Sequence, residues 1–184
     1  MSERNKLVQC VFTALAIAAL PMQAAAEAPD PALFDLLAQE SGDGWIEAEA
    51  QILRAWAETG SEPLNMIQLR GESALDEGDY KSAIGHLTAL VDHAPDHAMG
   101  WQMRAMAYWL NGNYGPAAAD LAQALTLEPK QYLALTQLAT MLEELGDTPR
   151  ALEAIRRSLD INPHQPDAID AAARLEQTRS GTDI

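Results

Sequence analysis

One pattern of three residue types recurs three times at a fixed spacing of 34 residues. The members are Gly78, Gly112 and Gly146, then Ala83, Ala117 and Ala151, then Pro95, Pro129 and Pro163. Nine residues held in register over three periods indicate that one structural unit is repeated. Units of this length bury their apolar faces by stacking on each other, so the pattern predicts a helical solenoid.

Each residue type in the pattern has its own physical role. Glycine accepts left-handed backbone angles and therefore ends the first helix of a unit. Asp79, directly after Gly78, can cap the helix that follows. Alanine lets two helices approach closely, and proline ends the second helix because it has no backbone N–H to donate. Each unit is thus predicted to be two antiparallel helices that meet at the glycine.

The middle unit carries the most complete set of signature residues, and it resembles the tetratricopeptide repeat. The matching residues are Trp101, Ala105, Tyr108, Gly112, Tyr114, Ala117, Ala124 and Pro129. The resemblance implies an all-α helical solenoid of antiparallel helix pairs, stacked as a right-handed α-α superhelix. Arg70 and Arg104 depart from the family pattern, because they stand where the family usually has leucine. Their long stems can still cover apolar surface.

The repeat pattern also predicts the organisation of the chain. Gly44 lies 34 residues before Gly78, which suggests a degenerate first unit with one apolar stripe that includes Leu33 and a second that includes Trp56. The predicted segments are a degenerate N-terminal helical repeat at 27–62, three repeat units within 63–163 (64–97, 98–131 and 132–163), a capping helix at 164–179 and a loose tail at 180–184.

The first 26 residues have the features of an export signal. Arg4 and Lys6 are followed by the apolar stretch Leu7 to Leu20, and a run of small residues ends at Ala26. We therefore expect an exported, periplasmic protein with no membrane span after cleavage. The alternative is an uncleaved signal that anchors the protein in the inner membrane.

Composition limits the partners of the chain. The formal net charge is -15 and the sequence pI is about 4.4. Binding to nucleic acid or to an anionic membrane surface needs clustered Lys and Arg, so this balance argues against both. Cys10, the only cysteine, lies within the predicted signal, so a mature chain has no disulfide.

Arrangements of residues that would indicate catalysis or a bound metal are weak in this sequence. There is no glycine-rich phosphate loop and no nucleophile-elbow serine. His93 and His97 are four residues apart, but Pro95 between them predicts a helix–helix loop rather than a metal pair. Glu143 and Glu144 are adjacent and point in different directions on a helix, which predicts a solvated helix end. We therefore expect a protein that is not an enzyme and holds no cofactor or metal.

The family resemblance implies that the first helices of successive units line a concave groove. In the middle unit, methionines at helical spacing occupy positions expected to face it, and methionine suits adaptable binding surfaces. The alternative is that these methionines belong to the core. The residues predicted to contact a partner are Gln68, Leu69, Glu72, Asp76, Met99, Gln102, Met103, Met106, Trp109, Leu110, Thr136, Gln137, Thr140 and Glu144.

This predicted groove is apolar in the middle and acidic at its edges. It lacks the basic cluster with which some family members hold a peptide's terminal carboxylate. We therefore expect a protein or peptide partner that is basic or amphipathic, bound by an adaptor or assembly factor of the cell envelope. The alternative is a chaperone-like factor for unfolded exported proteins, for instance in cytochrome or outer-membrane protein maturation. The sequence leaves the oligomeric state open.

Overall fold

A computed structural model describes residues 28 to 182 of the protein, which contain nine α-helices and no strand. The predicted export signal lies outside these residues. None of the nine helices is long and apolar enough to cross a membrane. The helices are α1 (Pro31–Leu37), α2 (Gly44–Ala57), α3 (Glu62–Asp76), α4 (Tyr80–His93), α5 (Ala98–Leu110), α6 (Tyr114–Leu127), α7 (Tyr132–Glu144), α8 (Thr148–Ile161) and α9 (Pro166–Thr182).

Helices α3 to α8 form three antiparallel pairs, and each pair turns at a signature glycine. Gly78, Gly112 and Gly146 have φ values of 74°, 80° and 77°, where a side chain would be strained. The Asp79 carboxylate then accepts a hydrogen bond from the backbone N–H of Ser82 at 3.1 Å and caps α4. Ala83, Ala117 and Ala151 are fully buried where paired helices meet. These findings confirm the roles predicted for glycine, Asp79 and alanine.

Successive pairs are joined along one face of each first helix. We count residues from Ala98 in α5, from Tyr132 in α7 and from Pro166 in α9. In each of these helices the third, sixth and tenth residues are buried against the preceding pair. The same positions in α3, counted from Leu64, are solvent-exposed: Met66 is 45% and Leu69 55% exposed. No helix pair covers this face of α3 among the described residues, so it forms an open end of the stack.

The predicted first unit forms a helix pair but does not stack on α3. We call α1 and α2 the N-terminal hairpin. Its turn glycine is Gly42, with φ 92°, whereas Gly44 is the first residue of α2. Gly42 lies 36 residues before Gly78, so the assignment of Gly44 to the turn is wrong by two residues.

The two additional residues lie at the start of α3. That helix has 15 residues, against 13 in α5 and in α7, and its two extra residues are Glu62 and Pro63. An α-helix rotates roughly 100° per residue, so two residues turn the entering chain by about 200° around the axis of α3. The chain therefore enters α3 from nearly the opposite side. The hairpin packs instead on the later units. The apolar cluster at this contact consists of the buried Phe34, Leu37, Ile52, Trp56 and Tyr132 and the partly buried Leu33, Trp45, Leu53, Met99, Leu133 and Ile161.

Helix α9 covers the other end of the stack. Ala168, Ala171 and Leu175 are buried against α7 and α8. The guanidinium of Arg174 donates two hydrogen bonds to the Glu143 carboxylate, at 2.8 and 2.9 Å, and this pairing lowers the pKa of Glu143. Glu143 is thus ion-paired, contrary to the prediction of a solvated helix end. The helix also continues to Thr182, so residues 180 to 182 are not a loose tail, and 183–184 lie outside the described residues.

Candidate binding site

The first helices of the three units share one face, which we call the groove stripe. It consists of the second, fifth, ninth and thirteenth residues counted from Leu64, Ala98 and Tyr132, because spacings of three and four residues lie on one side of a helix. The stripe comprises Asn65, Gln68, Glu72 and Asp76 on α3, Met99, Gln102, Met106 and Leu110 on α5, and Leu133, Thr136, Thr140 and Glu144 on α7.

The fifth residue of the stripe count, which begins at Leu64, Ala98 and Tyr132, bonds a neighbouring unit on each helix. Gln68 is buried, and its Oε1 lies 2.7 Å from Nε2 of His97, the last residue before α5. Thr136 donates to Oε1 of Gln165, the last residue before α9, at 3.0 Å. Gln102 donates to Gln137 of α7 at 2.6 Å. These predicted contact residues therefore join neighbouring units and form the floor of the groove.

The ninth and thirteenth residues form the accessible part of the stripe. Asp76, Leu110 and Glu144 are exposed, and Glu72, Met106 and Thr140 are partly exposed. Trp109 lies beside them, and its Nε1–H donates to the Glu144 carboxylate at 2.7 Å. Glu144 is thus oriented by an indole rather than only solvated. We call these seven residues the open groove.

Three predicted contact residues lie on a different face. Leu69, Met103 and Gln137 are equivalent residues spaced by 34, and this position faces the preceding unit. Met103 is only 7% exposed and packs in a core cluster with Leu87 and Leu90 of α4. Gln137 is also buried, whereas Leu69 is exposed because no helix pair within residues 28 to 182 packs on this face of α3. These three do not line the groove, and for Met103 the core alternative is correct.

The open groove is acidic because its three charged residues, Glu72, Asp76 and Glu144, are all carboxylates. Arg104, the cation of α5, points into its own unit instead. Its guanidinium donates to both oxygens of Asp120 on α6, at 2.7 and 2.8 Å. It also lies 4.8 Å from the ring centroid of Trp101. The hydrogen bonds that Arg104 donates to Asp120 raise the pKa of Arg104. Both side chains are largely buried, so this charge belongs to the core and not to the groove.

The N-terminal hairpin covers the end of the stripe on α5 and α7 that lies away from the open groove. Met99 and Leu133, the second residues of α5 and α7, pack against the cluster that contains Phe34 and Trp56. Sequence reasoning missed this arrangement. The available signal was Gly42, whose distance from Gly78 breaks the 34-residue spacing.

The two histidines predicted not to form a metal pair differ in their surroundings. His97 is buried beside Gln68, and burial lowers its pKa, although the charge of Asp96 acts in the opposite direction. His93 is exposed at the end of α4. Within residues 28 to 182, no group of three His, Cys, Asp or Glu side chains is placed to hold a metal ion.

Stacked helix pairs with an open stripe on their first helices define a helical repeat protein of the kind that binds other proteins. Models of the tetratricopeptide repeat match residues 69–124 and 103–166, which together cover more than half of the chain. The chain therefore belongs to the tetratricopeptide repeat family.

Two curated proteins are similar in sequence to this chain. A TPR repeat-containing protein of Rhizobium etli is 28% identical over 150 residues, which cover 81% of this chain and 74% of that protein. The SGT1 homologue of Bos taurus is 28% identical over 109 residues, which are 59% of this chain and 32% of the bovine protein. The chain thus spans most of the bacterial relative but only about a third of the bovine one.

Solved structures share the fold at low sequence identity. The Sgt2 TPR domain of Aspergillus fumigatus has a TM-score of 0.64 and 20% identity, with coverage of 67% of this chain and 83% of that one. The first TPR domain of Spaghetti (RPAP3), bound to the HSP90 peptide SRMEEVD, has a TM-score of 0.61 and 20% identity, with coverage of 64% and 93%. MamA has a TM-score of 0.60 and 21% identity, with coverage of 75% and 78%.

Proposed function

We propose that this protein is a non-catalytic adaptor or assembly factor of the periplasm that binds a basic, amphipathic segment of a partner protein in its open groove. The observation that carries the proposal is the composition of this surface. Glu72, Asp76 and Glu144 surround the apolar side chains of Met106, Trp109 and Leu110. A segment with Lys or Arg beside apolar residues is complementary in both charge and polarity.

The peptides bound by two of the structural neighbours differ from this expected partner. The first TPR domain of RPAP3 is bound to the peptide SRMEEVD, and the second TPR domain of human RPAP3, another structural neighbour, is in complex with the peptide SGPTIEEVD. Both peptides end in two glutamates, a valine and an aspartate. The open groove of this chain presents carboxylates, which repel such an end. We therefore infer that its preference is opposite in charge.

The test uses two short helical peptides of matched design, one built from leucine and lysine and the other from leucine and glutamate. Fluorescence anisotropy of labelled peptides measures the affinity of each for the full chain. We expect the Leu/Lys peptide to bind and the Leu/Glu peptide to bind at least about tenfold more weakly, with a difference that shrinks at high salt.

Two variants localise the binding. Glu72→Gln with Asp76→Asn removes two groove carboxylates and should weaken binding of the Leu/Lys peptide by about two- to thirtyfold, since exposed ion pairs contribute about 0.2–1 kcal/mol each. Glu77→Gln is the matched control, because Glu77 is exposed at the end of α3 and lies off the stripe. Equal binding of both peptides, or an unchanged affinity in the double variant, would contradict the proposed function.

The periplasmic location rests on the export signal expected in residues 1–26. Fractionation of cells that express the full chain tests it, because periplasmic release of a protein shorter than the full chain supports cleavage. Retention of the full-length chain in the membrane fraction would favour the anchored alternative. A chaperone role would instead show as similar weak binding of many unfolded polypeptides without a preference for basic segments.

A further inference from the structure

The N-terminal hairpin lies where a long partner segment would continue along the groove stripe. Its apolar cluster includes Met99 and Leu133 of the stripe, with Tyr132 at the start of α7 and Ile161 at the end of α8. Tyr132 is fully buried there, and its ring centroid lies 5.4 Å from that of Trp56. The hairpin therefore hides an apolar extension of the open groove.

A small number of polar contacts hold the hairpin in place. The Glu49 carboxylate accepts hydrogen bonds from the Tyr132 hydroxyl at 3.0 Å and from Nδ2 of Asn162 at 2.8 Å. Burial, together with the charge of Glu49, raises the pKa of Tyr132, so the hydroxyl remains a donor. The His164 ring stacks on Trp45 with 4.1 Å between centroids. Interfaces of this kind, part polar and part apolar, are typical of segments that move relative to each other.

The apolar contacts of the hairpin are separate from the helices of the first unit. Helices α2 and α3 are joined by residues 58–61, in which Gly60 has φ 72°. The apolar cluster of the hairpin contains no residue of α3 or α4, although α3 follows directly in the chain. Losing the contacts of the hairpin would therefore leave the core of the first unit intact.

From these contacts we propose that the N-terminal hairpin is an internal occupant of the binding groove. The hairpin covers Met99, Tyr132 and Leu133 when no partner is bound. It moves aside when a basic, amphipathic segment binds along the whole stripe. This inference rests on the proposed function and adds its regulation. A partner then binds against the free energy that holds the hairpin, so its apparent affinity scales with the fraction of open molecules.

The experiment measures hairpin position and peptide affinity in the same proteins. Spin labels are attached to Asp35→Cys on α1 and Glu153→Cys on α8, both exposed positions, in full-length protein that carries Cys10→Ser. Pulsed electron resonance gives the distance distribution between the labels. We expect one narrow distribution in the free protein and a longer second population when the Leu/Lys peptide is added.

Glu49→Ala removes the acceptor shared by Tyr132 and Asn162. This variant should show the longer population without peptide and should bind the Leu/Lys peptide about tenfold more tightly. Glu47→Ala is the matched control, since Glu47 lies on the same helix, is exposed and, among residues 28 to 182, accepts a hydrogen bond from Gln51 of its own helix and not from α7 or the α8–α9 loop. Tyr132→Phe keeps the buried ring, removes the hydroxyl and should act in the same direction as Glu49→Ala.

The outcomes separate the two proposals. Failure of the Leu/Lys peptide to bind any of these proteins would overturn the proposed function and, with it, this inference. Binding with unchanged label distances, and with equal affinity for wild type, Glu49→Ala and Tyr132→Phe, would overturn the inference alone. Circular dichroism of each variant shows whether the helices are retained.

Discussion

At the scale of single residues, Arg104 shows how a polar pair is accommodated inside a repeat unit. Arg104 and Asp120 are both largely buried, and each satisfies the charge of the other. The equivalent residues of the third unit, 34 positions later, are Leu138 and Ala154, which pack as an apolar pair. The same site in one fold therefore holds either an ion pair or an apolar contact.

This equivalence leads to a prediction about stability. Arg104→Leu alone leaves Asp120 buried without its partner and should lower the free energy of unfolding by about 3–5 kcal/mol. Arg104→Leu with Asp120→Ala copies the third unit and should restore stability to within about 1 kcal/mol of wild type. Chemical denaturation followed by circular dichroism measures both. A double variant as unstable as the single one would show that the pair is not replaceable in this unit.

His97 makes stability dependent on pH. Its pKa is lowered in the folded protein, chiefly by burial, so the unfolded chain binds the proton more readily. The associated stability is present above the ordinary histidine pKa of about 6.5 and is lost as pH falls through the lowered value. We expect wild type to lose more stability between about pH 7 and pH 5 than His97→Gln, which keeps the other three histidines. Parallel pH profiles of the two proteins would contradict this assignment.

At the scale of helices, two methionines of α5 lie in different environments, one in the core and one in the groove. Met103 packs in the core cluster between the first and second units, whereas Met106 lies on the stripe and belongs to none of the core clusters. Helix periodicity alone does not distinguish them, because three residues along a helix rotate the side chain by only about 60° from its starting direction. Methionine also packs well in either environment.

The two positions should respond differently to the same substitution. Met103→Ala removes buried side-chain atoms and should lower the free energy of unfolding by about 2–5 kcal/mol. Met106→Ala should change stability by less than about 1 kcal/mol and weaken binding of the Leu/Lys peptide. Thermal melts and peptide titrations of both variants test this contrast. Equal destabilisation would place Met106 in the core.

At the scale of the whole molecule, the sequence predicts the repeated part of the fold better than its N-terminal part. Gly78, Gly112 and Gly146 each require a left-handed turn, so a local property of one residue type identifies the helix pairs. The placement of the hairpin depends instead on the side of the α3 axis from which the chain enters that helix. A spacing of 34 points to Gly44, while the turn is made by Gly42, and the two additional residues at Glu62 and Pro63 become evident only from the helix bounds.

The groove was predicted only in part for a related reason. The sequence indicates which helices line it, and Glu72, Met106 and Glu144 lie on the expected face. Whether a side chain on such a helix bonds a neighbouring unit depends on contacts between residues far apart in the chain. The pairs Gln68–His97 and Gln102–Gln137, separated by 29 and 35 residues, are examples.

The exposed face of α3 is a surface on which a further helix pair could stack. Met66 and Leu69 already present apolar side chains at the positions that join one pair to the next. A helix pair inserted before Leu64, with its turn glycine 34 residues before Gly78, would pack on this apolar surface and bury Met66 and Leu69. The same insertion at the other end would first have to displace α9 and break the Arg174–Glu143 pair. Duplication of units within this gene is therefore tolerated more easily at the front of the array than at its back.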